Sequence, residues 1–160
     1  MCRSRTLTQW VILVSATLFS LALPGMVEAV CQIQLSSLKF GMYDSLGTSP
    51  LDSVGTLTYF CSQPVPIVSI TIDRGGAGNV RDRRMVKSAG GGSDGLFYNI
   101  YLDPARTTVW GDGTQGSHIW STRTPAVRTR IDVPIYGRIP GGQDISPGSY
   151  VDTLMVTINY

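Results

Sequence analysis

Short apolar runs that alternate with polar residues at a spacing of two recur along this chain, and turn-forming clusters separate them. In the last stretch, Leu154, Val156, Ile158 and Tyr160 share one face, with Thr153, Thr157 and Asn159 on the other. That is the period of a half-buried β-strand. Cys31–Leu35 alternates in the same way, with Cys31, Ile33 and Leu35 together, and Leu38-Lys39-Phe40-Gly41 continues it loosely. Gly55–Cys61, Val65–Asp73 and Leu96–Leu102 repeat the pattern. So does Arg130–Ile139, with Ile131, Val133 and Ile135 inward and Pro134 marking an edge or a bulge. Asp103-Pro104-Ala105-Arg106 reads as a tight turn, from which Thr107–Trp110 returns. No stretch holds a helical period. The 18 Gly and 9 Pro concentrate between the runs, as turns require. The expectation is one all-β domain, an Ig-like two-sheet β-sandwich of about seven strands.

The first residues read differently. Met1–Gln9 carries Arg3 and Arg5 without an acid, Trp10–Leu23 is almost wholly apolar, and Val27-Glu28-Ala29 offers small residues before a cleavage point. Basic, apolar, small is the order of a secretory signal peptide, here expected over residues 1–29, with the folded domain over 30–160. The apolar run is short for a membrane span, which needs roughly 20 residues. Removing the signal takes Cys2 away and leaves Cys31 and Cys61. Two cysteines in an exported chain predict one disulfide, stabilising the fold by roughly 3.5 kcal/mol on the chain-entropy model.

Candidates for chemistry are few. A net charge of +2 gives no electrostatic case for nucleic acid or an anionic membrane. His118 is the sole histidine, so zinc sites and Cys–His nucleophiles lack partners. Asp112 stands between two glycines with no second carboxylate at a pairing distance in sequence, which reads as a turn aspartate. The glycine clusters do not lead from a strand into a helix, so no phosphate loop is expected. Arg81-Asp82-Arg83-Arg84 reads as a solvated face, Trp110 as core, and Trp120 as either core or a sugar platform. No enzyme activity, substrate, metal or cofactor is expected. A carbohydrate-binding module or hydrolase using Asp112, His118 and Trp120 is the least supported alternative.

What remains is an edge. An Ig-type sandwich closes with a strand beside the one corresponding to Tyr150–Tyr160, and the chain reads as lacking it. An uncovered apolar edge invites aggregation. Donor-strand complementation, in which another chain inserts an extended segment, removes the hazard.

Several blocks then carry a resemblance. They are Phe40-Gly41 with Tyr43, Pro50-Leu51-Asp52-Ser53 with Gly55-Thr56-Leu57-Thr58 running to Cys61, and Tyr98-Asn99-Ile100-Tyr101-Leu102-Asp103. Next come Ala105-Arg106-Thr107-Thr108-Val109-Trp110-Gly111-Asp112-Gly113, Tyr136-Gly137-Arg138-Ile139-Pro140, and Pro147-Gly148-Ser149-Tyr150 with Asp152-Thr153. In this order the mature chain resembles the spore coat protein U domain family, which includes subunits of archaic chaperone–usher pili. The resemblance implies export through a periplasm to the cell surface and an adhesive or structural subunit with a role in biofilm. It also implies a periplasmic pilus chaperone, an outer-membrane usher and other pilus subunits as partners. The acceptor groove is expected between Tyr150–Tyr160 and Cys31–Leu35, lined by Ile33, Leu35, Leu154, Val156 and Ile158, with Tyr160 in the chaperone contact. No alternating donor segment is read ahead of Cys31, which points to the fibre tip. The alternative is a stand-alone coat or matrix protein of the same fold.

Overall fold

The structure is a computed structural model and describes residues 31–76, 78–88 and 95–160. The expected signal peptide and most of the Gly90–Gly95 loop lie outside them. Nine strands are described: β1 Cys31–Leu35, β2 Leu51–Cys61, β3 Ile67–Ile72, β4 Arg83–Lys87, β5 Gly95–Tyr101, β6 Trp120–Arg123, β7 Arg130–Ile139, β8 Tyr150–Val151 and β9 Val156–Asn159. They form two antiparallel sheets, ordered β1-β2-β7-β5-β4-β8 and β6-β3-β9. The fold is the expected all-β two-sheet sandwich, with nine strands in place of about seven.

Alternation places the core. On β2, Leu57, Tyr59 and Cys61 point inward, on β3 Val68, Ile70 and Ile72, and on β7 Val133, Ile135 and Ile139. Full burial of such side chains contributes about 1.5–3 kcal/mol each. Trp110 is fully buried among them, and its indole Nε1 donates to the Ile70 carbonyl at 3.0 Å, so the ring enters the core with its polar atom satisfied. The Cys31–Cys61 disulfide joins residues that are register partners on β1 and β2.

Five sequence expectations change. β2 begins at Leu51, four residues before the expected Gly55, because Asp52 pairs with Arg138 of β7 and carries two hydrogen bonds from its guanidinium. β7 is an interior strand between β2 and β5. Yet β5 pairs with it only from Tyr136 to Arg138, so the side of β7 opposite β2 is uncovered at Pro134, where a missing N–H costs nothing. Trp120–Arg123 is a strand, with Trp120 half-buried against Tyr59 at 5.5 Å between ring centroids. The last stretch is not one strand. β8 pairs with β4 in the six-stranded sheet, and β9 pairs with β3 in the other, so the chain crosses between sheets at residues 152–155.

The Arg81–Arg84 segment is the largest correction. It leads into β4, whose inward residues are Arg83 and Met85. Arg83 is 0% exposed. Its guanidinium donates to the Asp73 carbonyl at 2.7 and 2.9 Å, to Asn99 Oδ1 at 2.7 Å, and to the carbonyls of Trp110 and Ile72 at 2.9 and 3.2 Å. A buried cation is tolerated when its donors are satisfied in this way. Arg84, next to it, points out over the Phe97 ring at 4.2 Å.

Candidate strand-acceptor groove

The crossing at residues 152–155 builds one wall of a groove. Asp73 Oδ1 accepts from the Met155 amide at 2.8 Å, and the Asp73 amide donates to the Met155 carbonyl at 3.0 Å. Asp152 Oδ1 accepts from the Gly76 amide at 3.1 Å, and Oδ2 accepts from the Tyr98 hydroxyl at 2.7 Å. Gly75 has φ +64°, and any Cβ there would collide with the Asp152 carboxylate, so this turn needs glycine twice over. Burial and then the Asp152 hydrogen bond push the Tyr98 hydroxyl far above the ordinary tyrosine range, keeping it a neutral donor.

The opposite wall follows β1. Ser36 exchanges hydrogen bonds with Thr56 through its amide and its hydroxyl. Beyond it the chain is held above the sheet by side chains. Ser53 donates to the Lys39 carbonyl at 2.6 Å. The Tyr43 hydroxyl donates to the Pro140 carbonyl at 2.9 Å and accepts from the Gln143 amide at 2.8 Å. Leu38 and Phe40 turn inward onto two glycines. A methyl group on Gly137 would stand 2.6 Å from Leu38 Cδ2 and 2.7 Å from Phe40 Cζ, and one on Gly55 would stand 3.3 Å from Leu38 Cδ1. Glycine at these two sheet positions is what lets the wall lie so close.

Between the walls runs an open groove of about 860 Å³, bounded by residues 35–43 on one side and 145–152 with Leu154 and Val156 on the other. Its floor is Ile72, Met85, Leu96, Tyr98, Ile100, Ile135 and Ile139. Of the residues expected to line it, Leu35, Leu154 and Val156 do so. Ile33 and Ile158 stand outside this lining and pack, half-buried, against the core. Tyr160 is 48% exposed, one residue beyond β9. The floor and the 36–43 wall were missed. Their signals were the loose continuation of alternation through Leu38 and Phe40, and the inward Leu96, Tyr98 and Ile100.

The strands β1 and β9 are the outer strands of their respective sheets. β1 is antiparallel to β2, β9 is antiparallel to β3, and the short Cys61–Ile67 link turns β3 back on β2, so β1 and β9 run in opposite directions. Their Cα atoms come within 8 Å. A strand seated between two neighbours needs about 9.5 Å, twice the inter-strand spacing.

The other candidates for chemistry are engaged elsewhere. Asp112 is exposed and accepts from the amide and hydroxyl of Thr114, bonds that lower its carboxyl pKa. His118 is exposed, and its amide donates to the Val109 carbonyl. No cluster of three His, Cys, Asp or Glu side chains suited to a metal occurs among the described residues.

Comparison with known proteins adds three findings. Residues 17–157 match the family model described as Spore Coat Protein U domain, a match that begins inside the stretch expected to be a signal peptide. The chain is 34% identical over 138 residues to "Protein U" of Myxococcus xanthus, covering 78% of this chain and 72% of that one. A chain in the crystal structure of the CsuC–CsuE chaperone–tip adhesion subunit pre-assembly complex, from archaic chaperone-usher Csu pili of Acinetobacter baumannii, is similar in structure, with TM-score 0.57 and 23% identity. That likeness covers 84% of this chain and 40% of that one, and it shows a shared Ig-like fold.

Proposed function

The chain belongs to the Spore Coat Protein U domain family, and on that premise we propose that it is a structural subunit of a chaperone–usher surface pilus, one that accepts an extended strand from another chain. The observation that carries this reading is the apolar groove of about 860 Å³ between residues 35–43 and 145–152, which reaches the outer strands at Leu35 of β1 and Val156 of β9. An apolar groove flanked by free strand edges fits an alternating peptide, whose backbone pairs with the edges while its inward side chains fill the floor. Because β1 and β9 run oppositely, the incoming strand is parallel to one and antiparallel to the other. At their closest approach it must first part them.

Under this proposal residues 1–29 are a secretory signal and 30–160 the pilin domain. The partners are a periplasmic chaperone, an outer-membrane usher and other subunits, and the destination is the cell surface, where the subunit serves adhesion without catalysis. Ile33 and Ile158 flank the inserted strand once the edges part, and Tyr160 extends the contact.

The test is to refold the oxidised chain alone, with a matched chaperone, and with a synthetic alternating peptide. Soluble one-to-one complexes with the partners, against aggregation alone, are expected. A stable monomer with affinity for neither would contradict the proposal. The identity to Protein U favours a second reading, a coat protein that pairs edge to edge with its own copies. Soluble homo-oligomers formed by the chain alone, and unaffected by peptide, would select it.

A further inference from the structure

The floor of the groove is not uniform along its length. Phe40 reaches in from the 36–43 wall and meets Tyr98 edge-on, with ring centroids 6.0 Å apart and planes at 71°. The Tyr98 hydroxyl reaches on to Asp152 Oδ2 in the opposite wall at 2.7 Å. Both ends of this line are fixed. Phe40 rests on Gly137, and Asp152 is seated on the Gly75–Gly76 turn. A ring, a second ring and a carboxylate therefore join wall to wall across the floor.

To either side the floor is aliphatic. Leu96, Tyr98 and Ile100 are successive inward residues of β5, about 6.6 Å apart along the strand. Leu96 pairs with Met85 on one side of Tyr98, and Ile100 follows on the other. Strands stacked in a sandwich keep nearly aligned directions, so a strand inserted here presents its own inward side chains at the same interval.

We infer that Phe40, Tyr98 and Asp152 form a sill that divides the groove, and that the strand it accepts carries a small inward residue between two large apolar ones. This rests on the reading of the groove as a strand acceptor. Phe40 is then a specificity-determining residue. A large side chain over the sill must displace a ring held against a glycine or break the Tyr98–Asp152 hydrogen bond, whereas alanine clears both.

The experiment refolds the oxidised chain in equimolar mixtures of two alternating peptides. They are identical except for alanine or leucine at the central inward position, with leucine at both flanking inward positions. Native mass spectrometry reads the ratio of the two complexes. The alanine peptide is expected to win by at least about tenfold, the scale of an overpacking penalty. Phe40→Ala is expected to erase or reverse that preference. Phe40→Leu keeps an apolar side chain on Gly137 in case Phe40→Ala does not fold, and Tyr98→Phe frees the sill at its other end. Both are expected to reduce the ratio. Equal uptake by the unaltered chain, or an unchanged ratio in the folded variants, overturns the sill. Failure of both peptides to bind overturns the acceptor reading itself, and the sill with it.

Discussion

Arg83→Met removes the buried guanidinium while leaving an unbranched side chain of similar reach in its place. Five hydrogen bonds to four acceptors are lost. Asn99 Oδ1 keeps a partner in the Ile100 amide, so the deficit falls on the carbonyls of Ile72, Asp73 and Trp110. A buried acceptor left unpaired costs about 1–3 kcal/mol, which sets the gross loss at roughly 3–9 kcal/mol. Removing the charge relieves its desolvation, the main cause that lowers the Arg83 pKa, and this offsets several kcal/mol. The net expectation is about 3 kcal/mol of destabilisation. For a domain of this size that lowers Tm by roughly 10 °C. The assay is urea unfolding of the oxidised chain with a saturating donor peptide, with Arg84→Met as the control. Among the described residues Arg84 makes an exposed contact with Phe97, worth roughly 0.5–1 kcal/mol. Equal losses for the two variants, or an Arg83→Met protein within about 1 kcal/mol of the parent, would refute the reasoning.

Two further outcomes follow from the same geometry. Asp103 accepts from the amides of Thr107 and Thr108 and from the Thr107 hydroxyl, and these bonds, led by that of the Thr107 amide, depress its pKa to about 2. A carboxyl with a depressed folded pKa contributes stability above its unfolded pKa of about 3.9 and loses it as pH falls toward 2. Urea midpoints between pH 5 and 2 should therefore fall more steeply in the parent than in Asp103→Ala, and parallel curves would contradict this. Replacing both Cys31 and Cys61 with serine should cost roughly 3.5 kcal/mol and free β1, which pairs only with β2 among the described strands. A double variant that unfolds at the parent's urea midpoint would show that the staple is dispensable.

Periodicity reveals which way a side chain points but not which strand lies alongside, and the final stretch shows the difference. From Val151 to Asn159 exposed and half-buried residues alternate without a break, although the hydrogen-bond partner changes from β4 to β3 midway. Nothing in the alternation marks that switch, because a strand changing sheets keeps one face to the same core. What holds the crossing is Asp73 and Asp152, two aspartates bonding amides far away in sequence. The β4 strand escaped for the opposite reason, since its inward position holds an arginine and an arginine reads as surface. The disulfide and the long strands were legible because each rests on burial of apolar side chains along one strand. The 36–43 wall was not, because it has no ladder of its own beyond Ser36 and rests on what Gly55 and Gly137 lack.

The central claim is that β1 and β9 are two sides of one vacancy for a strand. Hydrogen exchange of the refolded chain, measured with increasing donor peptide, tests it most directly. The account predicts that amides of Cys31–Leu35 and Val156–Asn159 gain protection together, in proportion to bound peptide. Peptide binding that leaves both segments exchanging as before, or protects only other parts of the chain, would contradict it.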